Sequence, residues 1–240
     1  MVKFINFFSF HSSPRYLIYS SPLVIFVDWD DTLLCSSYLS GQGFRLDTDM
    51  RNPRGVAILE EIKDLQACVV ATLKLALTQG EVIIITNAET GWVELSAQKF
   101  MPDVLPLLQY IHIISARSTY EPVFGNNPLK WKVFILCEKL SLPVFQFFLL
   151  YQFHAFKDKL LPLFADATLK KNILSFGDSH VEREAVRAVT QGMPSTLCKS
   201  IKFAERPSIE QLQRQLVRRT FKKTRFHRLT SFFGVSGACV

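Results

Sequence analysis

Three aspartates stand close together directly after a short apolar run. The stretch LVIFVDWDDTLL, residues 23–34, places Asp28, Asp30 and Asp31 within four positions. Carboxylates packed this closely repel one another unless a cation or a reacting group neutralises them. The stretch therefore indicates either a catalytic site that uses such a cation or a polar exit from a strand, in which one aspartate caps a helix.

Two further apolar runs also end in small polar residues. EVIIITNA (81–88) ends with Thr86 and Asn87, and NILSFGDS (172–179) ends with the Gly-Asp-Ser group that contains Asp178. The carboxyl ends of parallel strands meet at one edge of a sheet, where open α/β folds bind their ligands. The three strand endings together predict a single site at that edge.

Helical and strand-like patterns alternate along the rest of the chain. Apolar residues recur at helical spacing from Gly55, and the pattern stops at Gly80. The further predicted elements are a helix around 91–100, a strand at 111–117, a helix from 180 that stops at Gly192, a strand near 195–203 and an amphipathic helix from Ser208. This alternation predicts an α/β domain with a mostly parallel sheet flanked by helices.

Four of these segments together resemble the motifs of one enzyme family. VIFVDWDDT (24–32) is similar to the hhhhDxDxT signature of the haloacid dehalogenase-like (HAD) phosphohydrolases, and IIITNA (83–88) is similar to their second motif. A lysine of LKWK (129–132) serves as the third motif, and ILSFGDSHVERE (173–184) resembles the fourth, GDxxxD. The resemblance covers about residues 22–205 and implies a Rossmann-like HAD fold and a phosphatase.

The resemblance also implies a reaction and a role for each catalytic residue. Asp28 would attack phosphorus and become an aspartyl phosphate. Asp30 would protonate the leaving oxygen and later activate water. Thr86 would bind the phosphoryl oxygens, and Lys132 or Lys130 would neutralise their charge. A dehalogenase usually lacks the second of these aspartates, so its presence favours phosphoryl transfer.

Mg²⁺ is the cofactor that the resemblance implies. Its ligands would be Asp28, the backbone carbonyl of Asp30, and Asp178. Glu182 stands where the family more usually has aspartate. Together with Ser179 it also has the spacing of a helix-capping box, so it is expected to cap the helix and to orient a metal-bound water.

Several nearby residues are expected to be structural. Asp31 occupies the variable position of the first motif, and Thr32 is expected to hydrogen-bond its own loop. Trp29 is expected to pack beneath the site, and His180 has no role in the mechanism. Asn87 either binds the phosphate together with Thr86 or holds its loop.

The intervals between the motifs bear on the substrate. Thr32 to Thr86 is taken up mostly by one helix, and Thr86 to Lys132 by a helix and a strand, which leaves no room for a full cap domain. A site with little or no cap is open, which suits a large phosphorylated substrate such as a protein, or one bound with the help of a partner; a phosphorylated small molecule is the alternative.

The segment 133–152, VFILCEKLSLPVFQFFLLYQ, departs from the family pattern. Valine codons begin with GT, a glutamine codon can end in AG, and the segment is 20 codons long, so its removal preserves the reading frame. Two explanations are open: a retained intron in the gene, or a genuine hydrophobic insertion that forms a small cap or a partner-binding surface.

The charge of the chain is concentrated at one end. The formal net charge is +7, and seven basic residues but no acidic one follow Glu210. Residues 206–240 are therefore expected to form a basic helix and tail, whose part 214–228 binds nucleic acid or an anionic surface, or is a solvated helix face. Residues 1–21 read as an N-terminal extension that precedes the HAD-like domain at 22–205.

The five cysteines form no CxxC pair, and no segment is long and apolar enough to span a membrane. The chain is therefore expected in the cytoplasm. The function predicted from all these features is a Mg²⁺-dependent phosphatase. The alternatives are a non-catalytic HAD-like regulatory or binding protein, and a phosphotransferase that uses an acceptor other than water.

Overall fold

Five parallel strands form one sheet. The computed structural model describes residues 23–140, 172–191 and 196–218. The strands are β1 (Leu23–Val27), β2 (Glu81–Thr86), β3 (His112–Ser115), β4 (Asn172–Gly177) and β5 (Leu197–Lys202). They lie in the order β3-β2-β1-β4-β5, and every neighbouring pair is parallel. The predicted α/β, Rossmann-like fold class is therefore confirmed.

Helices cover both faces of this sheet. They are α1 (Ser36–Gly41), α2 (Pro53–Gln79), α3 (Trp92–Phe100), α4 (Leu105–Leu108), α5 (Ala116–Phe124), α6 (Pro128–Lys139), α7 (His180–Thr190) and α8 (Ile209–Leu216), with one 3-10 turn at Pro102–Val104. Side chains alternate between the faces of a strand. Ile25 and Val27 of β1 accordingly belong to one apolar cluster with α2, α3 and α8, whereas Phe26 belongs to a second cluster with α6 and α7.

The long helix α2 has clear start and stop signals. Asn52 caps its amino end by accepting a hydrogen bond from the Gly55 backbone N–H at 2.8 Å, and Pro53 is its first residue. The helix ends at Gly80, as predicted. Gly80 has extended backbone (φ 178°), so a left-handed cap is not why glycine is needed. A Cβ at this position would lie 2.1 Å from the carbonyl oxygen of Leu23, so close packing against β1 requires the glycine.

The interval from Thr86 to Lys132 holds more than the one helix and one strand expected from the sequence. It contains α3, the 3-10 turn, α4, β3 and α5. Helix α5 packs Ala116 and the half-buried Tyr120 and Phe124 on the second cluster, but it is only nine residues long and includes Pro122, which disfavours a helix interior. Among the described residues, each α-helix in the intervals between the first three motifs contributes buried side chains to the two apolar clusters, and none belongs to a separate cap domain.

The atypical segment 133–152 is described only in its first part. Residues 133–139 continue α6, which Leu140 caps, and Val133, Ile135 and Cys137 are buried in the second cluster. Residues 141–152 lie outside the described residues. The retained intron and the genuine insertion both stay predictions, and sequencing the transcript across this region distinguishes them.

The expectations for the chain ends fall mostly outside the described part. Residues 1–21 lie outside it, as do Gly192 and residues 219–240 of the basic tail. Helix α8 packs Ile209, Leu212 and Leu216 onto the first cluster, so its apolar stripe is part of the core. In the parts of the chain that the structure describes, no helix has the length and apolar character needed to cross a bilayer.

Candidate active site

The predicted site residues gather where the strand order reverses. Asp28 directly follows β1 and Asp178 directly follows β4, and these two strands are neighbours at the centre of the sheet. The backbone N–H of Asp28 donates to the carbonyl of Phe176 at 2.9 Å, which ties the two strand ends together. In an open α/β sheet, the crevice at such a reversal is the place where ligands bind.

Lys132 is the lysine that reaches this crevice. Its Nζ lies 3.2 Å from Asp28 Oδ1 and 2.5 Å from Glu182 Oε1, and its side chain is 3% exposed. Lys130 is half-buried, and its Nζ lies 5.8 Å from the centre of the Phe124 ring. Residues two apart on a helix point in nearly opposite directions, so α6 can bring only one of the two lysines to the carboxylates. The choice that the sequence left open is thereby decided geometrically.

Glu182 is held on both of its carboxylate oxygens. Oε1 pairs with Lys132, while Oε2 accepts hydrogen bonds from the Ser179 backbone N–H at 3.0 Å and from the Ser179 hydroxyl. The Ser179 Oγ in turn accepts from the Val181 N–H at 3.0 Å, which completes the predicted capping box at the start of α7. Gly177 makes room for this arrangement, because a Cβ there would lie 2.4 Å from Glu182 Cγ.

Three carboxylates of the site are close enough to share a cation. Asp28, Asp178 and Glu182 each offer an oxygen within 4.8 Å of the others. The buried atom Asp28 Oδ1 lies 3.2 Å from Lys132 Nζ and has no other polar partner among the described residues. Since both oxygens of Glu182 are already bound, Asp28 and Asp178 fit direct ligation, and Glu182 fits an outer, orienting role. Hard oxygen donors of this kind suit Mg²⁺ and other hard divalent cations alike.

Burial shifts the pKa values of the direct-ligand candidates upward. Loss of solvation raises the pKa of Asp28 to about 8, and the nearby carboxylates add to this against the opposing effect of Lys132. Burial, then the charges of Glu182 and Asp31, raise the pKa of Asp178 to about 7. Binding a cation at these oxygens would therefore displace protons near neutral pH.

The ion pair of Lys132 and Glu182 shifts the pKa of each partner so that its charged form is favoured. Burial disfavours the charged form of Glu182, but the charge and hydrogen bond of Lys132 and the hydrogen bond of Ser179 outweigh it and lower the pKa of the carboxyl. Burial likewise disfavours the Lys132 ammonium, yet the charges of Asp28 and Glu182 raise its pKa. The pair therefore stays ionised in the range where Asp28 and Asp178 titrate.

Asp30 faces a different set of partners. The Thr86 hydroxyl donates to Asp30 Oδ2 at 3.2 Å, and the Trp92 indole N–H donates to Asp30 Oδ1 at 2.9 Å. Thr86 ends β2, is buried, and accepts a hydrogen bond from the Ala88 N–H at 3.0 Å. The predicted residues Asp30 and Thr86 are thus brought together. Ligation by the backbone carbonyl of Asp30 stays a prediction.

Asn87 was predicted either to bind phosphate or to hold its loop. Its side-chain oxygen is buried and has no hydrogen-bond partner among the described residues. That oxygen does not hold the loop, although a carbonyl-type oxygen cannot donate to a phosphate either. Contact of Asn87 with phosphate would have to use its amide nitrogen.

The neighbouring residues with expected structural roles are mostly as predicted. Trp29 is fully buried, and its indole N–H donates to Ser96 Oγ at 2.9 Å. Asp31 has a left-handed backbone (φ 52°), and its Oδ1 accepts from the Ser37 N–H at 3.0 Å at the start of α1. His180 is exposed. Thr32 hydrogen-bonds its loop through its backbone N–H, which donates to the Trp29 carbonyl at 3.3 Å, whereas its buried hydroxyl has no partner among the described residues.

Sequence reasoning missed two residues that contact the site. Trp92 binds Asp30 from the first position of α3, and Lys202 donates from its Nζ to the backbone carbonyl of Asp178 at 3.0 Å. Both contacts join residues that are far apart in the chain. The one local signal is Gly91, whose left-handed φ of 88° makes the turn before Trp92.

Comparisons with known proteins add no family assignment. No family model matches the chain, and neither the curated proteins nor the solved structures include a significant match. The function is therefore inferred from the residues of the site and their geometry.

Proposed function

We propose that this protein is a Mg²⁺-dependent phosphohydrolase of the HAD type that acts through an aspartyl phosphate on Asp28. The observation that carries the proposal is the environment of the Asp28 carboxylate. It lies at the reversal of strand order, its Oδ1 has the Lys132 ammonium as its one partner among the described residues, and Asp178 stands beside it. A buried carboxylate whose nearest partner is a cation that could also bind the phosphoryl group is suited to act as a nucleophile.

Two displacement steps follow from this arrangement. An oxygen of Asp28 attacks phosphorus while the bond from phosphorus to the leaving oxygen breaks, and Asp30 gives its proton to that oxygen. A water molecule then gives a proton to Asp30 and attacks the same phosphorus. The bond from phosphorus to Asp28 breaks, and inorganic phosphate is released with the carboxylate and the acid restored.

Lys132 and Thr86 would serve the phosphoryl group rather than the proton transfers. The Lys132 ammonium lies beside Asp28 and would neutralise charge that develops on the phosphoryl oxygens. The Thr86 hydroxyl would donate to one of those oxygens. When bound by Asp28 and Asp178, Mg²⁺ would supply charge that lowers the repulsion between the nucleophile and the phosphate.

The substrate is proposed only by class, as a phosphorylated small molecule or protein. Binding of nucleic acid or an anionic surface by 214–228 and a cytoplasmic location also stay predictions. Most of 214–228 lies outside the described residues, so the geometry neither favours nor opposes that binding.

The test is hydrolysis of 4-nitrophenyl phosphate by the wild type and by Asp28→Asn, with and without Mg²⁺. Asp28→Asn keeps the shape of the side chain and removes the nucleophile, so turnover should fall by roughly 10³-fold or more. Asp64→Asn is the matched control, because the same exchange is made at an exposed position of α2. Acid-quenched wild type should gain the mass of one phosphoryl group, and Asp28→Asn should not.

Three outcomes would contradict the proposal. Equal turnover by wild type and Asp28→Asn would assign the activity to another site or a contaminant. Equal turnover with and without Mg²⁺ would show that the reaction does not require the cation. A folded wild type with no turnover of any aryl phosphate would favour the non-catalytic binding protein.

A further inference from the structure

Asp30 is held by two donors that differ in kind. The Trp92 indole N–H, 2.9 Å from Oδ1, belongs to a rigid side chain that packs against the first apolar cluster. The indole nitrogen can only donate, so Trp92 is always the donor and Asp30 always the acceptor in this hydrogen bond. The Thr86 hydroxyl, 3.2 Å from Oδ2, carries a single hydrogen that can turn toward another acceptor.

In the proposed mechanism, a bound phosphoryl group and Asp30 compete for the hydroxyl hydrogen of Thr86. The hydroxyl has only one hydrogen, so it can donate either to Asp30 or to a phosphoryl oxygen, while its oxygen accepts from the Ala88 N–H. A bound phosphoryl group that takes this hydrogen would leave Oδ2 of Asp30 without its donor. With Thr86 bound to the phosphoryl group as proposed, Oδ2 would be the Asp30 oxygen nearer to that group, because it is the oxygen that Thr86 contacts.

We propose that Trp92 is a positioning residue for the acid: its indole N–H holds Asp30 Oδ1, so that Oδ2, released by Thr86, meets the leaving oxygen. This inference rests on the proposed function and adds a residue to it. In the first step the proton on Oδ2 passes to the leaving oxygen as the phosphorus–oxygen bond breaks. In the second step Oδ2 receives a proton from the attacking water, and Oδ1 stays bound to Trp92 throughout.

A purely structural role for Trp92 makes a different prediction. In that case its bond to Asp30 would only tie the start of α3 to the loop after β1, and its loss would affect all substrates alike. If Trp92 positions the acid, the loss of kcat/KM should be larger for a leaving group that needs more protonation. The two roles are separated by comparing esters with poor and good leaving groups.

The experiment measures kcat/KM for phenyl phosphate and 4-nitrophenyl phosphate with wild type and Trp92→Phe. Phenolate is the poorer leaving group and depends more on the acid. Trp92→Phe keeps an aromatic ring for packing but removes the N–H. We expect about a 10- to 100-fold loss on phenyl phosphate. The loss on 4-nitrophenyl phosphate should be less than about threefold, because its departure needs little protonation.

Trp131→Phe is the matched control. Trp131 is buried, and its indole N–H donates to the Gly125 carbonyl at 2.8 Å, so the same kind of bond is removed away from Asp30. Trp131→Phe should change kcat/KM by the same factor for both esters. If Trp92→Phe does not fold, the benzothienyl analogue of tryptophan at position 92 replaces only the N–H by sulfur and takes the place of that variant.

A second readout does not depend on turnover. The indole ¹H–¹⁵N signal of Trp92, identified by its disappearance in Trp92→Phe, should shift in Asp30→Ala. A signal that does not move would overturn the hydrogen bond and with it the proposal. Equal losses on both esters, or no loss on either, would overturn the positioning role alone. A wild type inactive on both esters would instead refute the proposed function, and the inference would fall with it.

Discussion

The raised pKa values at the strand ends predict how pH controls the stability of this protein. Asp28 has its pKa raised to about 8 and Asp178 to about 7, both above the value of 3.8 for an exposed aspartate. A group whose pKa is higher in the folded state stabilises that state fully below the unfolded pKa. The contribution is lost as pH rises through the folded pKa. In EDTA, stability should therefore fall between about pH 5 and about pH 8.

The size of the effect follows from the number of protons held by the folded state. Each such group lowers the free energy of unfolding by about 1.4 kcal/mol per pH unit while it stays protonated only in the folded protein. Glu182 and Lys132 do not interfere, because the lowered pKa of the first acts below about pH 4.5 and the raised pKa of the second acts above about pH 10.5.

Urea unfolding in EDTA at a series of pH values measures the slope. Asp28→Asn cannot take up the proton, so its slope should be shallower than that of the wild type by about 1.4 kcal/mol per pH unit between about pH 5 and pH 7. Asp64→Asn, an exchange at an exposed position, should keep the wild-type slope. Identical slopes for Asp28→Asn and the wild type would refute the assignment of a buried, protonated Asp28.

Mg²⁺ should reverse the loss, because it binds the ionised carboxylates. A ligand at 100 times its dissociation constant adds about 2.7 kcal/mol to the free energy of unfolding. The gain in Mg²⁺ should be larger at about pH 8 than at about pH 5, where protons compete. An equal gain at both pH values, or a full gain in Asp28→Asn, would show that the cation binds elsewhere.

Two further predictions concern single buried groups. Lys132→Met should lower the free energy of unfolding by about 3–5 kcal/mol in urea titrations, because it leaves the buried, ionised Glu182 carboxylate without its charge partner. Lys130→Met should cost less than about 1 kcal/mol, and similar costs for both variants would contradict the placement of α6. Thr32→Val should raise the free energy of unfolding by about 1 kcal/mol, since the hydroxyl is buried with no partner among the described residues. Thr190→Val, which removes a hydroxyl that donates to the Val186 carbonyl at 2.8 Å, should not stabilise, and equal effects of the two valines would refute this reasoning.

Glu182 joins the start of α7 to the lysine of the site. Glutamate at this position reaches Lys132 with one oxygen and Ser179 with the other. Its carboxylate therefore fixes both the helix start and the lysine, which leaves Asp28 and Asp178 as the carboxylates with oxygens to spare.

Much of the architecture is determined by local sequence. The apolar runs at 23–27, 81–86 and 172–177 predict buried strands because no other element hides every side chain of so short a segment. The polar residues that end these runs predict the edge at which the site lies, since parallel strands share a direction. The capping box of Ser179 and Glu182 is predictable for the same reason: it joins residues of a single helical turn.

The tertiary structure alone decided the contacts between distant elements. Lys130 and Lys132 are equivalent by spacing, and only the packing of α6 against α7 turns Lys132 toward the carboxylates. The contact of Trp92 with Asp30 depends on the conformation of the turn between β2 and α3. Hydrophobic periodicity in the sequence does not predict that conformation. Helix α5 could not be predicted from the sequence because it is short and includes Pro122. Sequence patterns indicate which residues are buried. Which charged side chains contact one another depends on how the helices and strands pack.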